Sequence, residues 1–314
     1  MIAALASADA VIWIAILVKT LAYAATLIAA GSVLVLLWLR ELTADARAAL
    51  RRAAVLGAIA AALLSALRLP VRASFLMGGA LDGAVDPMML GIVAESPLGA
   101  SLIVRLVGLA LILSVLLPWR TARWLAAAGA ILACASFAMR GHALGDPRLL
   151  LGALVTVHIA GLAFWIGSFA PLSRAARRET PEKAGALAHE FGTKALWVVA
   201  LLVAAGILTL VLLGAATPDA LFSPYGQAFL LKLALFAGVL ALAALNKLRL
   251  TPDLFKAMPG AAQRMRRSIA VESVLVAAIL ATTAALTTLT SPPSEQAMGA
   301  LPQMKAVQTA VFLS

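Results

Sequence analysis

The chain has 314 residues, of which 63% are apolar and only 12% charged, with a formal charge of +11. A soluble domain carries roughly 25% charged residues to cover its own surface; half that share cannot solvate a globule, and a mean hydropathy of +1.01 suits hydrocarbon instead. A water-soluble enzyme or nucleic-acid-binding domain is excluded, and the basic excess is read as a topology signal with attraction to anionic headgroups of the lipid bilayer.

Eight apolar runs approach or exceed the ~20 residues that cross a bilayer, at about 11–39, 52–69, 98–118, 122–139, 149–171, 194–214, 226–246 and 268–289. They are continuous and rich in Ala and Leu, where a lipid-facing barrel needs short segments of alternating polarity. The fold class is therefore all-α: a single transmembrane domain, a polytopic membrane helix bundle with about eight transmembrane helices. Met1 to Ala10 has no Lys or Arg, so the first helix is expected to be retained rather than cleaved as a signal. The loops after the first, third, fifth and seventh runs carry most of the 25 Lys and Arg. The positive-inside rule then puts those loops in the cytoplasm and both termini, including a tail over 294–314, on the extracytoplasmic side.

Along the chain, polar residues inside the runs are few, and each is a candidate because an ionisable group at a helix centre costs at least ~2.5–3.5 kcal/mol unless paired or hydrated. Lys19 lies in the first run, beside a small-residue stretch of Ala25, Ala29, Ala30 and Gly31 that suits close helix packing. Residues 70–97 read as an extracytoplasmic helical hairpin, interfacial or re-entrant, broken by Gly78, Gly79, Gly83 and Pro87 and carrying Met77, Met88 and Met89. Arg105 lies in the third run. Cys134, the single cysteine, lies in the fourth and is expected to pack as a small side chain. Met139 ends that run and His142 follows it; His158 lies in the fifth run within VHIAGLAFWIGSFAPL.

His189 falls in the basic segment before the sixth run and reads as a solvated surface residue. The sixth run carries a second small stretch, Ala204, Ala205 and Gly206. Lys232 lies in the seventh run and Glu272 in the eighth. For Lys19 and Lys232 the plain alternative to function is snorkelling to the interface; for His158 it is a hydrogen bond to a neighbouring helix carbonyl. Imidazole and thioether are also transition-metal donors, thioether favouring Cu(I) and imidazole accepting either copper state. No zinc, calcium or phosphate motif and no Ser/His/Asp arrangement is evident, so no catalysis is expected.

The GHA of Gly141 to Ala143 is followed by VHIAGLAFWIG, with His158, Gly161, Trp165 and Gly167. Further on come FGTKALWVVALLVAAGILTL, SPYGQAFLLKLALFAGVLALAALNKLRLTP and RRSIAVESVLVAAILATTAALTTLTSPP. Together these resemble the CopD/PcoD family of bacterial copper-resistance inner-membrane proteins, from about residue 95 to Pro293 and best after Met139; residues 1–94 match in hydropathy alone. The resemblance implies an eight-helix protein of the inner (cytoplasmic) membrane that handles copper, moving it inward from a periplasmic donor of the CopC type. No CopC-like β-sandwich is present in the sequence, so that donor is expected to be a separate chain. The family-like positions are His142, His158, Trp165, Gly167, Tyr225, Gly226, Lys232, Asn246 and Glu272.

The expected path receives copper, Cu(I) or Cu(II), at Met139, His142 and the Met77/Met88/Met89 hairpin and passes it to His158. Lys19, Arg105 and Lys232 sit at a similar depth and would repel a bare cation. Either loop acids (Asp82, Asp86, Glu95, Asp146) neutralise them, or they face away from the path, or the ligand is anionic. The last option opens a rival reading: a haem with axial His158 and its propionates on the basic residues. A third is a non-transporting membrane partner of a periplasmic copper chaperone.

Overall fold

The structure, a computed structural model, describes residues 8–212 and 224–289, excluding the side chains of His142, Pro224 and Tyr225. The 294–314 tail and the side chains of His142 and Tyr225 thus lie outside the described residues. The described chain is helical, without strands. Its helices are α1 (Ala10–Trp38), α2 (Ala44–Leu76), α3 (Pro87–Glu95), α4 (Pro97–Ile112), α5 (Ala122–Ala135), α6 (Arg148–Arg178), α7 (Pro181–Leu212), α8 (Pro224–Leu245), α9 (Thr251–Phe255) and α10 (Ala261–Leu289). Eight helical segments are long and apolar enough to cross a membrane. Their outward faces carry large apolar side chains such as Leu196, Trp197, Leu201 and Ile207, a surface water would not tolerate but lipid does.

The helices begin where local chemistry starts them. Asp9 accepts from the Ile12 amide at 2.8 Å, Thr43 from Ala46 at 3.2 Å, Asp86 from Met89 at 2.8 Å and Ser96 from Leu98 at 3.2 Å. Each cap satisfies one of the amides a helix start leaves open. Several helices outrun their apolar runs, because hydropathy registers only the lipid-facing part. The first turns of α2 and α7 and the end of α6 are charged, yet helical. The sequence ends the second run before Pro70, but α2 continues through Pro70 to Leu76; membrane helices tolerate proline where neighbours re-satisfy the freed backbone groups. The hairpin over 70–97 is correspondingly shorter: a 3-10 turn at Leu81–Ala84 followed by α3.

Helix α1 is the hub, packing on α2, α4, α5, α6 and α10. Its approach to α6 is closest at Gly31, where an added Cβ would lie 1.9 Å from the Ala163 carbonyl oxygen, and at Gly167, where one would lie 2.3 Å from the Gly31 carbonyl carbon. Two side-chain-free positions face each other here, the membrane device for backbone contact. The Ala204–Gly206 stretch behaves differently: Ala205 is buried, but nothing approaches within 4 Å of a Cβ built on Gly206. Cys134 is fully buried in the core cluster with Ala130 and Ala133.

The two ends of the bundle differ in chemistry. The basic-loop end, where α1 ends and α2 begins, is laced by carboxylates. Asp45 pairs with the Arg174 guanidinium through two bonds, and Arg264 reaches Asp253 at 3.1 Å. Glu190 on α7 accepts from the Arg40 and Glu41 amides at 2.9 Å and from Lys194 at 2.6 Å, while Lys194 also donates to the Trp38 carbonyl. The opposite, hairpin end holds α3, the start of α1 and the end of α10, and none of the described ion pairs.

Candidate functional site

Two polar centres lie inside the bundle. The first is built around Glu272, the one carboxylate among the described residues that is fully buried. Because α10 starts at Ala261, Glu272 is roughly 16 Å along a 29-residue helix, near its middle. Trp165 on α6 donates its indole N–H to Glu272 Oε2 at 3.3 Å, and Asn246 donates its amide to Oε1. Asn246 opens a π-helical turn, Asn246–Leu250, between α8 and α9. Such turns interrupt the regular ladder and are frequent at functional sites. The Asn246 Oδ1 atom is buried without a hydrogen-bond partner among the described residues. A cavity of about 150 Å³ opens beside the group, lined in part by Trp165, Phe191, Asn246, Lys247 and Glu272. Phe191 meets the Trp165 ring edge-on at 5.8 Å, which fixes the indole.

His158 is seven residues before Trp165 on α6, two turns and roughly 10 Å along the same helix face. It is exposed on the described bundle, hydrogen-bonds the backbone of Leu202 on α7, and has Lys232 of α8 near enough to act on it electrostatically. The helix-carbonyl contact anticipated from sequence is thus present. His189 is exposed, with Phe255 edge-on at 6.4 Å.

The second centre is a cavity of about 490 Å³ at the hairpin end, on which Lys19, Arg68, Arg72, Arg105 and Arg140 converge around Tyr23. Lys19 does not snorkel free: its ammonium donates to the Thr287 carbonyl at 3.0 Å and the Thr288 hydroxyl at 3.3 Å, closing the C-terminal end of α10. The Arg105 Nε donates to the Ser136 hydroxyl at 3.0 Å, and its guanidinium lies 4.4 Å from the Phe137 ring centre. Arg140 donates to the Tyr23 hydroxyl at 3.1 Å. None of Asp82, Asp86, Glu95 and Asp146 lines this cavity.

The candidate copper donors distribute as follows. Met77 is exposed at the end of α2, with its side chain against Gly83; Met88 is exposed and Met89 half-buried on α3; Met139 is half-buried at the end of the 3-10 turn after α5. None of the four lines either cavity. Among the described residues no group of three or more His, Cys, Asp and Glu is placed to hold a metal ion. A haem needs its axial histidine and propionate partners around one pocket. The cationic cavity holds Lys19 and Arg105 but neither His158 nor Lys232, so these residues do not fit that arrangement.

Sequence reasoning singled out Trp165, Asn246 and Glu272 separately and did not bring them together. It missed Tyr23, Arg68, Arg72 and Arg140. A signal existed: Lys19 and Tyr23, and Arg68 and Arg72, are both i, i+4 pairs, which share a helix face.

Residues 7–149 match the family described as Copper resistance protein D-like, N-terminal domain, and residues 185–286 match Copper resistance protein D. The first match extends the likeness over the N-terminal helices and the Met-bearing hairpin, where hydropathy alone had connected them. No curated protein and no solved structure matches the chain. With the two matched segments covering most of an eight-helix membrane bundle, the chain belongs to the copper resistance protein D (CopD) family.

Proposed function

We propose that this membrane protein moves copper across the bilayer, without catalysis, from the hairpin face to the basic-loop face, with Glu272 as the inner way-station. The observation that carries this reading is the alignment of His158 with the Trp165–Glu272–Asn246 group on one face of α6. A cation crossing the apolar middle of a bundle needs carboxylate or neutral donors at intervals, each binding weakly enough to release. His158 and Glu272 supply two, roughly 10 Å apart along the helix axis, and neither lines the cationic cavity.

In this reading Met139, His142 and the Met77, Met88 and Met89 thioethers collect copper at the outer face, which favours Cu(I). The positive-inside rule makes the basic-loop end cytoplasmic and the hairpin end periplasmic in an inner membrane, so transport is import. The donor is a separate periplasmic copper chaperone of the CopC type. Copper is cargo here, and the chain's own residues only pass it.

The test is cellular copper, measured by elemental analysis in cells expressing the full chain against an empty vector. Wild type should raise accumulation, and Glu272→Gln and His158→Gln, present at equal membrane levels, should return it to the vector value. Unchanged accumulation in both variants overturns the path. A Soret band in the purified protein, lost in His158→Ala, would replace transport with haem chemistry.

A further inference from the structure

The hairpin-end cavity is unlike the rest of the molecule in how its charges are compensated. At the basic-loop end Arg174, Lys194 and Arg264 each meet a carboxylate. In the cavity Lys19, Arg68 and Arg105 are 8%, 9% and 2% exposed, yet their protein partners are neutral: the α10 carbonyl and hydroxyl, Ser136, and the faces of Tyr23 and Phe137. No Asp or Glu is among the residues lining it. Buried cations without a counter-charge are costly, and like charges gathered on one low-dielectric space repel. A chain that brings together five of them, from α1, α2, α4 and the segment after α5, has built for a ligand of opposite sign.

The donor chemistry narrows the ligand. A guanidinium presents a planar fork matched to two oxygens of one oxyanion, and the Arg105 fork is engaged by the protein at Nε through Ser136. Arg140 donates to the Tyr23 oxygen, and the Arg68 and Arg105 guanidinium groups lie over the same ring, so the phenol gathers three of the cations around it. Arg72, the most exposed of the set, sits at the rim.

We propose that this cavity is a binding site for a multiply charged oxyanion of the phosphate type, gripped by Arg105, Arg68 and Arg140, with Arg72 at the mouth and Lys19 adding charge from the α10 end. Its position at the hairpin end of the spans allows two sources, inorganic phosphate from solution or the headgroup of an anionic phospholipid. The site does not depend on copper movement, and its test involves none.

The full chain, purified in a neutral detergent, is titrated with inorganic phosphate, against chloride at matched ionic strength, while its melting temperature is followed. Lipid retained through purification is identified by native mass spectrometry. A saturable rise with phosphate alone identifies the free anion; retained anionic phospholipid, with no response to phosphate, identifies the headgroup. In either case Arg72→Gln/Arg140→Gln, which leaves the buried Arg105 in place, should weaken the response or retention by roughly tenfold or more. Arg105→Gln should abolish it where that variant folds. Neither a phosphate response nor retained anionic lipid in the wild type overturns the proposal, as does a response undiminished in the double variant.

Discussion

Trp165 Nε1 reaches Glu272 Oε2 at 3.3 Å across 107 positions of sequence, tying the middle of α6 to the middle of α10. Because Asn246 holds the other oxygen of the same carboxylate, three elements depend on one side chain. Trp165→Phe leaves the buried Glu272 Oε2 without this donor and should cost about 1–3 kcal/mol, the penalty for one buried group left unpaired. Glu272→Ala strands both donors and should cost more, about 1–3 kcal/mol for each buried group left unpaired. Thermal unfolding in detergent gives the order, and a Glu272→Ala protein no less stable than Trp165→Phe would contradict the shared role of the carboxylate.

The glycines of this chain should not respond alike. Gly167→Ala drives a methyl into the Gly31 backbone, and neither helix can move without disturbing the hub. Overpacking of this kind costs typically 1–3 kcal/mol, and it should also lower copper accumulation, because Trp165 is two residues away on the same helix. Gly206→Ala meets open space and removes a flexible residue from a helix interior, so it should be neutral or stabilising by roughly 0.5–1 kcal/mol. Folded yield and melting temperature of the pair decide this directly.

Carboxylates at the basic-loop end also differ in weight. Asp45 and Arg174 form a well-shaped pair, but both are largely in solvent, so Asp45→Asn should leave the melting temperature where it is. Glu190 is 16% exposed and satisfies the backbone amides of Arg40 and Glu41, just past the end of α1, as well as Lys194. Glu190→Ala removes these bonds where water can take the carboxylate's place and should destabilise by about 1 kcal/mol, with the end of α1 loosening from α7. Hydrogen exchange at residues 40 and 41 would locate the effect, and equal protection in the variant would count against it.

The number of helices was readable because apolar length alone fixes it. Their ends were not, since lipid-facing hydropathy stops before the helix does, and Pro70 gives the same signal inside a membrane helix as at its end. The family-like positions Trp165, Asn246 and Glu272 were readable as residues. Their meeting was not, because it depends on how α6, α8 and α10 pack. The cationic cavity was hidden for a related reason: Arg68 and Arg72 lie at and beyond the edge of the second apolar run, and only the continuation of α2 turns them inward toward Lys19, Tyr23 and Arg105.

His158 separates a packing role from a transport role within one side chain. Its ring hydrogen-bonds the Leu202 backbone on α7, and Gly161, one turn on, also faces Leu202 and Val198, so the residue helps to fix α7 on α6. Gln is long enough to keep a donor for that backbone bond but is a poor ligand for a soft metal. His158→Gln should therefore hold the melting temperature of the wild type while copper accumulation falls to the vector level. His158→Phe should lose both, since it removes the ring donor that ties α6 to the Leu202 backbone of α7. If His158→Gln accumulates copper as the wild type does while His158→Phe is destabilised, the imidazole serves packing alone. The path to Glu272 would then have to begin from the hairpin methionines and Met139 without it.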